Sequence, residues 1–303
     1  MQTVEDGIRI EDAIARMARA ASLEVPVKGA DVVADCRRWL APGREVFISM
    51  VPGQTYHQTV QLATGLIKAG FVPVPHVTAR NIVNQAMAED VLARLAGAGV
   101  TAALVLGGDR APVGPAFDSA IGLLESGAPA RAGLRRIYVS GYPEGHPAIA
   151  ETVLTGHLAR KLAWCAAHGI DSGVVTQFSF EEARVTAWLD RMAARFPGVR
   201  VVIGAAGPAG AGTLLRYAAR CGVRASMSML TRHAEKLMRV LSEAGPEALI
   251  YALARREAAG GQPVGLHLFS FGGTARTARW CHAVAGGQFE LHAGEATFEV
   301  TPP

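Results

Sequence analysis

Apolar positions along the chain fall into two alternating kinds of run. Short, β-branched and nearly continuous apolar runs are separated by longer stretches whose apolar residues recur at helical spacing. The short runs are Ser22–Val27, Val46–Val51, Val72–Val77, Ala102–Leu106, Arg136–Ser140, Gly173–Phe178, Val199–Ile203 and Gly265–Phe271. Continuous rather than alternating apolar character is expected of parallel strands covered on both faces. Between them, helical periodicity predicts helices over Gln58–Ala69, Arg80–Ala96, Ile149–Ala167, Phe180–Phe196 and Thr213–Cys221. Stop signals follow several of these, among them Gly169, Pro197-Gly198 and Gly222. A further helix, Ile10–Ala21, precedes the first strand. The segment 226–259 has the pattern of an inserted helical pair turning at Gly245-Pro246, and 286–303 forms a C-terminal tail.

Eight strand-then-helix units in 303 residues predict a single (β/α)8 barrel spanning 1–303, with the insertion placed before the eighth strand. An open dinucleotide-binding sheet would need Gly-x-Gly-x-x-Gly after the first strand, where Lys28-Gly29-Ala30 stands instead. The loose match Gly207-Pro-Ala-Gly210-Ala-Gly212 follows the seventh strand and is read as a loop.

In a barrel of this kind the chemistry belongs to the C-terminal strand ends and the loops beyond them. Polar residues collect there: Glu24, Ser49, His76 with Thr78, Asp109, Tyr142 with Glu144 and His146, Thr176 with Gln177, and Ser270. Each also has a plainer explanation. Glu24, costly in an apolar strand unless paired or functional, would be satisfied by a barrel arginine. Asp109 would serve as a cap for the following helix. His76 would be a satisfied core histidine, and Gln177 would bond a neighbouring strand end.

Composition narrows the function classes. Half the residues are hydrophobic, 18% are charged, and the net charge is +4, carried mostly by dispersed arginines. With no basic block interleaved with aromatics, a nucleic-acid partner is not expected. No apolar run reaches the length of a membrane span, and the N-terminal residues lack a secretory pattern, so a cytoplasmic location is expected. Cys36, Cys165, Cys221 and Cys281 lie far apart and signal neither a zinc site nor a disulfide framework. His-Glu-x-x-His and Gly-x-Ser-x-Gly are absent, so no metal ligand set or serine-hydrolase turn is indicated. Glu24 and Asp109 alone would permit glycosidase chemistry, but such clefts are usually rich in aromatics, and this chain has few.

Taken together, the strand-end motifs resemble those of the methylenetetrahydrofolate reductase family. Gly141-Tyr-Pro-Glu-Gly-His-Pro147 carries the resemblance most specifically, supported by Pro75-His-Val-Thr78, Gly107-Gly-Asp109 and Val175-Thr-Gln-Phe178, all in the family's order. The resemblance runs from about Ser22 to Cys281. It implies an oxidoreductase that interconverts 5,10-methylene- and 5-methyltetrahydrofolate by hydride transfer through FAD, with NADH or NADPH as the nicotinamide partner. It implies Glu24 as general acid, Asp109 as the carboxylate that binds the pterin and stabilises positive charge, and Gln177 as a contact shared by folate and nicotinamide. His76, Thr78, Gly108, Tyr142, His146, His157 and Lys161 fall at cofactor-contacting positions. A carboxyl in an apolar strand is also expected to hold its proton strongly, which suits a general acid.

The departures from the family lie at its binding positions. Gly107 stands where an arginine is usual, Thr155 and His157 replace an acidic residue and an asparagine, and Gly272-Gly273 replace an Asn-Arg pair that holds folate. Arg276, one turn into the next helix, is the substitute expected to bind substrate. These changes leave open a flavin-independent enzyme, an oxidative one in methyl-group catabolism, or a non-catalytic pterin-binding regulator. A homo-oligomer is expected.

Overall fold

The computed structural model describes residues 2–27, 31–51, 53–223 and 245–301. Eight parallel strands close into a barrel in sequence order. They are β1 (Ser22–Val25), β2 (Glu45–Ile48), β3 (Val72–Thr78), β4 (Ala102–Leu106), β5 (Arg136–Gly141), β6 (Asp171–Thr176), β7 (Arg200–Ala206) and β8 (Gly265–Phe269). β1 pairs with both β2 and β8, which closes the ring and fixes Glu24 level with Phe47 and Phe269.

The continuous apolar runs are explained by burial on two sides. Outward residues such as Leu23, Ile48, Val105, Val139 and Leu268 pack beneath the helices. Inward residues Phe47, Val74, Leu104, Tyr138, Val175 and Val202 fill the barrel. Gly173 is small because a Cβ there would sit 2.5 Å from the Tyr138 ring.

The helices in chain order are α1 (Gln2–Ala20), α2 (Val32–Trp39), α3 (Tyr56–Lys68), α4 (Gln85–Gly97), α5 (Ala120–Glu125), α6 (Ala128–Arg131), α7 (Glu151–Ala167), α8 (Glu182–Arg195), α9 (Ala211–Cys221), α10 (Glu247–Ala258) and α11 (Thr274–Ala285). The helix expected over Arg80–Ala96 begins later. Ala79–Asn81 is a 3₁₀ turn, and α4 starts after Asn84, whose side chain accepts from the Met87 N–H at 2.9 Å.

Of the expected insertion at 226–259, residues 226–244 lie outside the described residues. The remainder contains α10, which packs in the outer ring against α1 and α8 and is tied to them by Glu257–Arg16 and by Arg256–Asp190 at 2.9 Å. The helix that follows β7, α9, instead lies on the C-terminal ends of β6, β7 and β8. There Leu214, Ala218 and Tyr217 join Phe178, Phe269 and Phe271 in a separate apolar cluster. The tail contains an antiparallel hairpin, β9 (Phe289–His292) with β10 (Thr297–Val300), whose Phe298 is buried against Trp280. Among the described residues, no helix is long and apolar enough to cross a membrane.

Candidate active site

A cavity of about 1770 Å³ opens at the C-terminal end of the barrel. It is lined by Glu24, His76, Thr78, Gly108, Asp109, Tyr142, His146, His157, Lys161 and Gln177, ten of the eleven positions to which the resemblance gives a role, and by the strand-end residues Ser49 and Thr176. Arg276 does not line it and lies exposed on α11, because its place one turn into that helix carries it past the strand end.

At the floor, Glu24 points inward from β1 between two imidazoles. Its Oε2 lies 3.4 Å from His76 Nε2 and 3.5 Å from His267 Nε2. Both imidazole nitrogens are buried and lack a well-formed hydrogen bond, so the carboxylate is approached from two sides without being locked. The other ring nitrogen of His267 is fixed, since Nδ1 lies 2.9 Å from Ser22 Oγ. Phe47 meets both imidazole rings from below, at 4.5 Å from His267 and 6.4 Å from His76.

This arrangement reverses the expected state of Glu24. Burial pushes its carboxyl up, but His76 and then His267 pull it down further, and the net position is below the ordinary carboxylate value. Burial likewise pushes His76 down, and the charge of Glu24 restores it only in part. The partner expected for a structural Glu24 was an arginine; the residues actually placed there are titratable imidazoles.

The upper wall is made by strand ends. Asp109 caps no helix: α5 begins at Ala120 and is capped by Ser119. Thr78 is held through its backbone, its N–H donating to the Tyr56 hydroxyl at 3.1 Å. Its methyl packs so closely on Gly108 that a Cβ there would sit 2.5 Å away, and Gly108 also has φ +105°, which only glycine adopts without strain. Burial pushes the Tyr142 hydroxyl up, and the charge of Asp109 adds to this. The Tyr142 ring meets His146 edge-on at 5.4 Å, and His146 Nδ1 accepts from the Ala148 N–H at 3.1 Å. Gln177 donates its backbone N–H to Gly141 and accepts with Oε1 from the Phe178 N–H.

α9 forms the remaining side. Tyr217 stacks on Phe271 at 4.0 Å, and Gly222 abuts Pro147, where a Cβ would sit 2.6 Å from the ring. Cys221 is held at about 11 by burial, with the carboxylates of Asp109 and Glu24 adding to it, so it remains a thiol facing both. Lys161, from α7, is buried in the wall and pushed down to about 8 by that burial.

Sequence reasoning did not single out His267, Arg80 or Tyr217. His267 was legible: it stands two residues before Phe269 in β8, on the same face, while Leu266 and Leu268 point outward. Arg80 and Tyr217 carried no such signal, because each depends on where a turn or helix lands.

No protein-family model matches the chain. Its fold is similar to those of several solved barrels. N-acetylneuraminate lyase from Fusobacterium nucleatum aligns with 91% of this chain and 77% of its own at 9% identity, TM-score 0.48. Triosephosphate isomerase from Bartonella henselae aligns with 88% of this chain and 97% of its own at 11% identity, TM-score 0.42. Phosphoenolpyruvate phosphomutase from Streptomyces platensis subsp. rosaceus aligns with 76% and 87% at 15% identity, TM-score 0.41. These are likenesses of fold, and they say nothing about the chemistry of this cavity.

Proposed function

We propose that the chain is an enzyme, an oxidoreductase of the methylenetetrahydrofolate reductase type acting on a tetrahydrofolate-bound one-carbon unit. The observation that carries this reading is the convergence of Glu24, Asp109 and Gln177 on one cavity, with Glu24 held between two imidazoles at its floor. The cavity exceeds the roughly 300–1,000 Å³ typical of a single ligand, as a reaction between two large partners requires.

The residues fit a phosphate-bearing cofactor. Lys161 is a buried amine with no hydrogen-bond or ion-pair partner among the described residues, and Thr78, Gly108, Tyr142, His146 and His157 share its cavity. Those residues would hold FAD, which when bound supplies the relay of hydride between nicotinamide and folate.

The chain's own part is proton delivery and charge. Opening the five-membered ring of the folate requires a proton on a weakly basic nitrogen. Glu24 is held ionised at neutral pH, so the acid is the carboxylate–imidazole unit and not an isolated carboxyl. Glu24 Oε2 lies within 3.5 Å of both imidazole Nε2 atoms at the cavity floor, so a proton delivered from there would be shared within that unit, and Ser22 fixes the His267 ring. The Asp109 carboxylate stabilises the positive charge of the iminium formed as the ring opens. Gln177, its carbonyl oxygen engaged by the Phe178 N–H, presents its amide N–H₂ to the ligand.

Glu24→Gln tests the assignment. Rapid kinetics should show the folate half of the reaction slowed by about 10²–10⁴, with oxidation of the nicotinamide nearly unchanged, because only the folate half needs the proton. Equal loss of both halves would make Glu24 a structural residue. The visible spectrum of the purified protein decides whether flavin takes part.

A further inference from the structure

β3 changes supports part-way along its length. Its lower residues pair with β2, from Val72 with Glu45 up to Pro75 with Ile48, where β2 ends. Its upper residues pair with β4, from His76 with Leu104 to Thr78 with Leu106. The two prolines account for the change. Successive residues of a parallel strand bond alternately to its two sides, and the Val72 N–H donates to the Arg44 carbonyl on the β2 side at 2.9 Å. Pro73 and Pro75 therefore face β4 with no N–H to give. Thr78, in phase with Val72, presents its N–H and carbonyl to the β2 side, past the last paired residue of β2.

A side chain takes over where β2 has ended. The Tyr56 hydroxyl accepts from the Thr78 N–H at 3.1 Å and donates to the Thr78 carbonyl at 3.3 Å. One hydroxyl thus satisfies both backbone groups that a neighbouring strand would otherwise meet. Tyr56 is the first residue of α3, and that turn is itself fixed. The Thr55 side chain accepts from the Gln58 N–H, and the Gln58 side chain accepts from the Thr55 N–H. The Tyr56 ring packs against the core beneath the helices. Burial pushes its hydroxyl up to about 12, so the group keeps its proton.

Two parts of the candidate site depend on this strand end. His76 stands two residues before Thr78 on the same face, with Nε2 3.4 Å from Glu24 Oε2. The Thr78 methyl packs on Gly108, in the turn that carries Asp109. We propose that Tyr56 is a positioning residue for proton delivery: its hydroxyl stands in for the missing strand, holds the end of β3, and so keeps His76 against Glu24. Tyr56 acts through His76 and not on the substrate. The role rests on the reading of Glu24 and its imidazoles as the proton-delivering unit, but its first test requires no turnover.

Tyr56→Phe removes the hydroxyl and keeps the ring, so the packing of α3 is preserved. His76 is buried, and diethyl pyrocarbonate should modify it slowly in the wild type, as followed by peptide mass spectrometry. Tyr56→Phe should raise that rate about tenfold or more, with the circular dichroism unchanged. In rapid kinetics the folate half of the reaction should slow about tenfold, with oxidation of the nicotinamide nearly unchanged. Glu24→Gln combined with Tyr56→Phe should be no slower than Glu24→Gln alone, because both changes act on one unit. His76 as resistant in Tyr56→Phe as in the wild type, equal slowing of both halves, or a further loss in the double variant would overturn the role. Absence of folate turnover in the wild type, with His76 opened to modification by Tyr56→Phe, would instead count against the folate reading alone.

Discussion

The two ends of the barrel each hold a cluster of charged and polar side chains, and they differ in how completely those groups are paired. At the N-terminal end, Glu45 accepts from the Tyr138 hydroxyl at 2.9 and 2.7 Å and from Arg136 at 3.2 Å, and Arg136 also meets Asp171 at 2.6 Å. At the C-terminal end, Glu24 lies between two imidazole nitrogens that lack well-formed bonds, and among the described residues no carboxylate pairs with Lys161 or Arg80. Phe47 separates the two, meeting Tyr138 at 5.1 Å on one side and His267 on the other. The same barrel interior therefore satisfies one cluster internally and leaves the other with capacity for a ligand. On the function proposed above, stability resides in the first and chemistry in the second.

Removing the separator should have the largest effect on the folded state. Phe47 is fully buried, so Phe47→Ala should cost about 3–5 kcal/mol in urea unfolding. It should also impair turnover, because the imidazoles lose the surface that sets their orientation. A loss of stability with turnover unchanged would mean that the upper cluster does not depend on its packing against the lower.

Lys161 gives the next largest effect, with the opposite sign. Its amine moves from 10.5 to about 8 on folding, so the charged form costs roughly 3 kcal/mol below pH 8. That cost fades as pH rises through the interval and is gone above 10.5. Lys161→Met should therefore stabilise the protein by up to about 3 kcal/mol at pH 7 while weakening ligand binding. The stability gain should shrink toward pH 10. A destabilised variant at pH 7 would show that the amine is paired in solution.

The smallest effects distinguish the two clusters most cleanly. Tyr138→Phe leaves Glu45 short of a donor and should cost about 1–3 kcal/mol with turnover nearly intact. His267→Phe leaves Ser22 and Glu24 short of a partner and should likewise cost about 1–3 kcal/mol, but it should also reduce turnover about tenfold or more. The comparison fails if the two variants show the same pattern in parallel denaturation and rate measurements.

The barrel was legible in the sequence because strands buried on both faces leave unbroken apolar runs, and all eight barrel strands overlap those runs. Helix α2, the short α5 and α6, and the β9–β10 hairpin were not, since their segments are too short for a period to emerge. The placement of α9 over the strand ends was equally hidden: its amphipathic pattern fits the barrel flank as well as the mouth. At the site, strand-end position identified Glu24, Asp109 and Gln177, but the ionisation of Glu24 could not be read from β1. It is set by His76 and His267, which come from strands distant in sequence, so an apolar neighbourhood along the chain gave the wrong sign. Arg276 was misplaced for a related reason, because a helical turn past β8 rotates a side chain away from the barrel axis.

The most direct test is to supply 5,10-methylenetetrahydrofolate with NADH or NADPH, with and without added FAD, and to follow 5-methyltetrahydrofolate by mass spectrometry. The account predicts formation of the methyl product by the wild type and its near-absence with Glu24→Gln. No methyl product under any of these conditions, from protein whose circular dichroism and thermal melt show an intact fold, would contradict it.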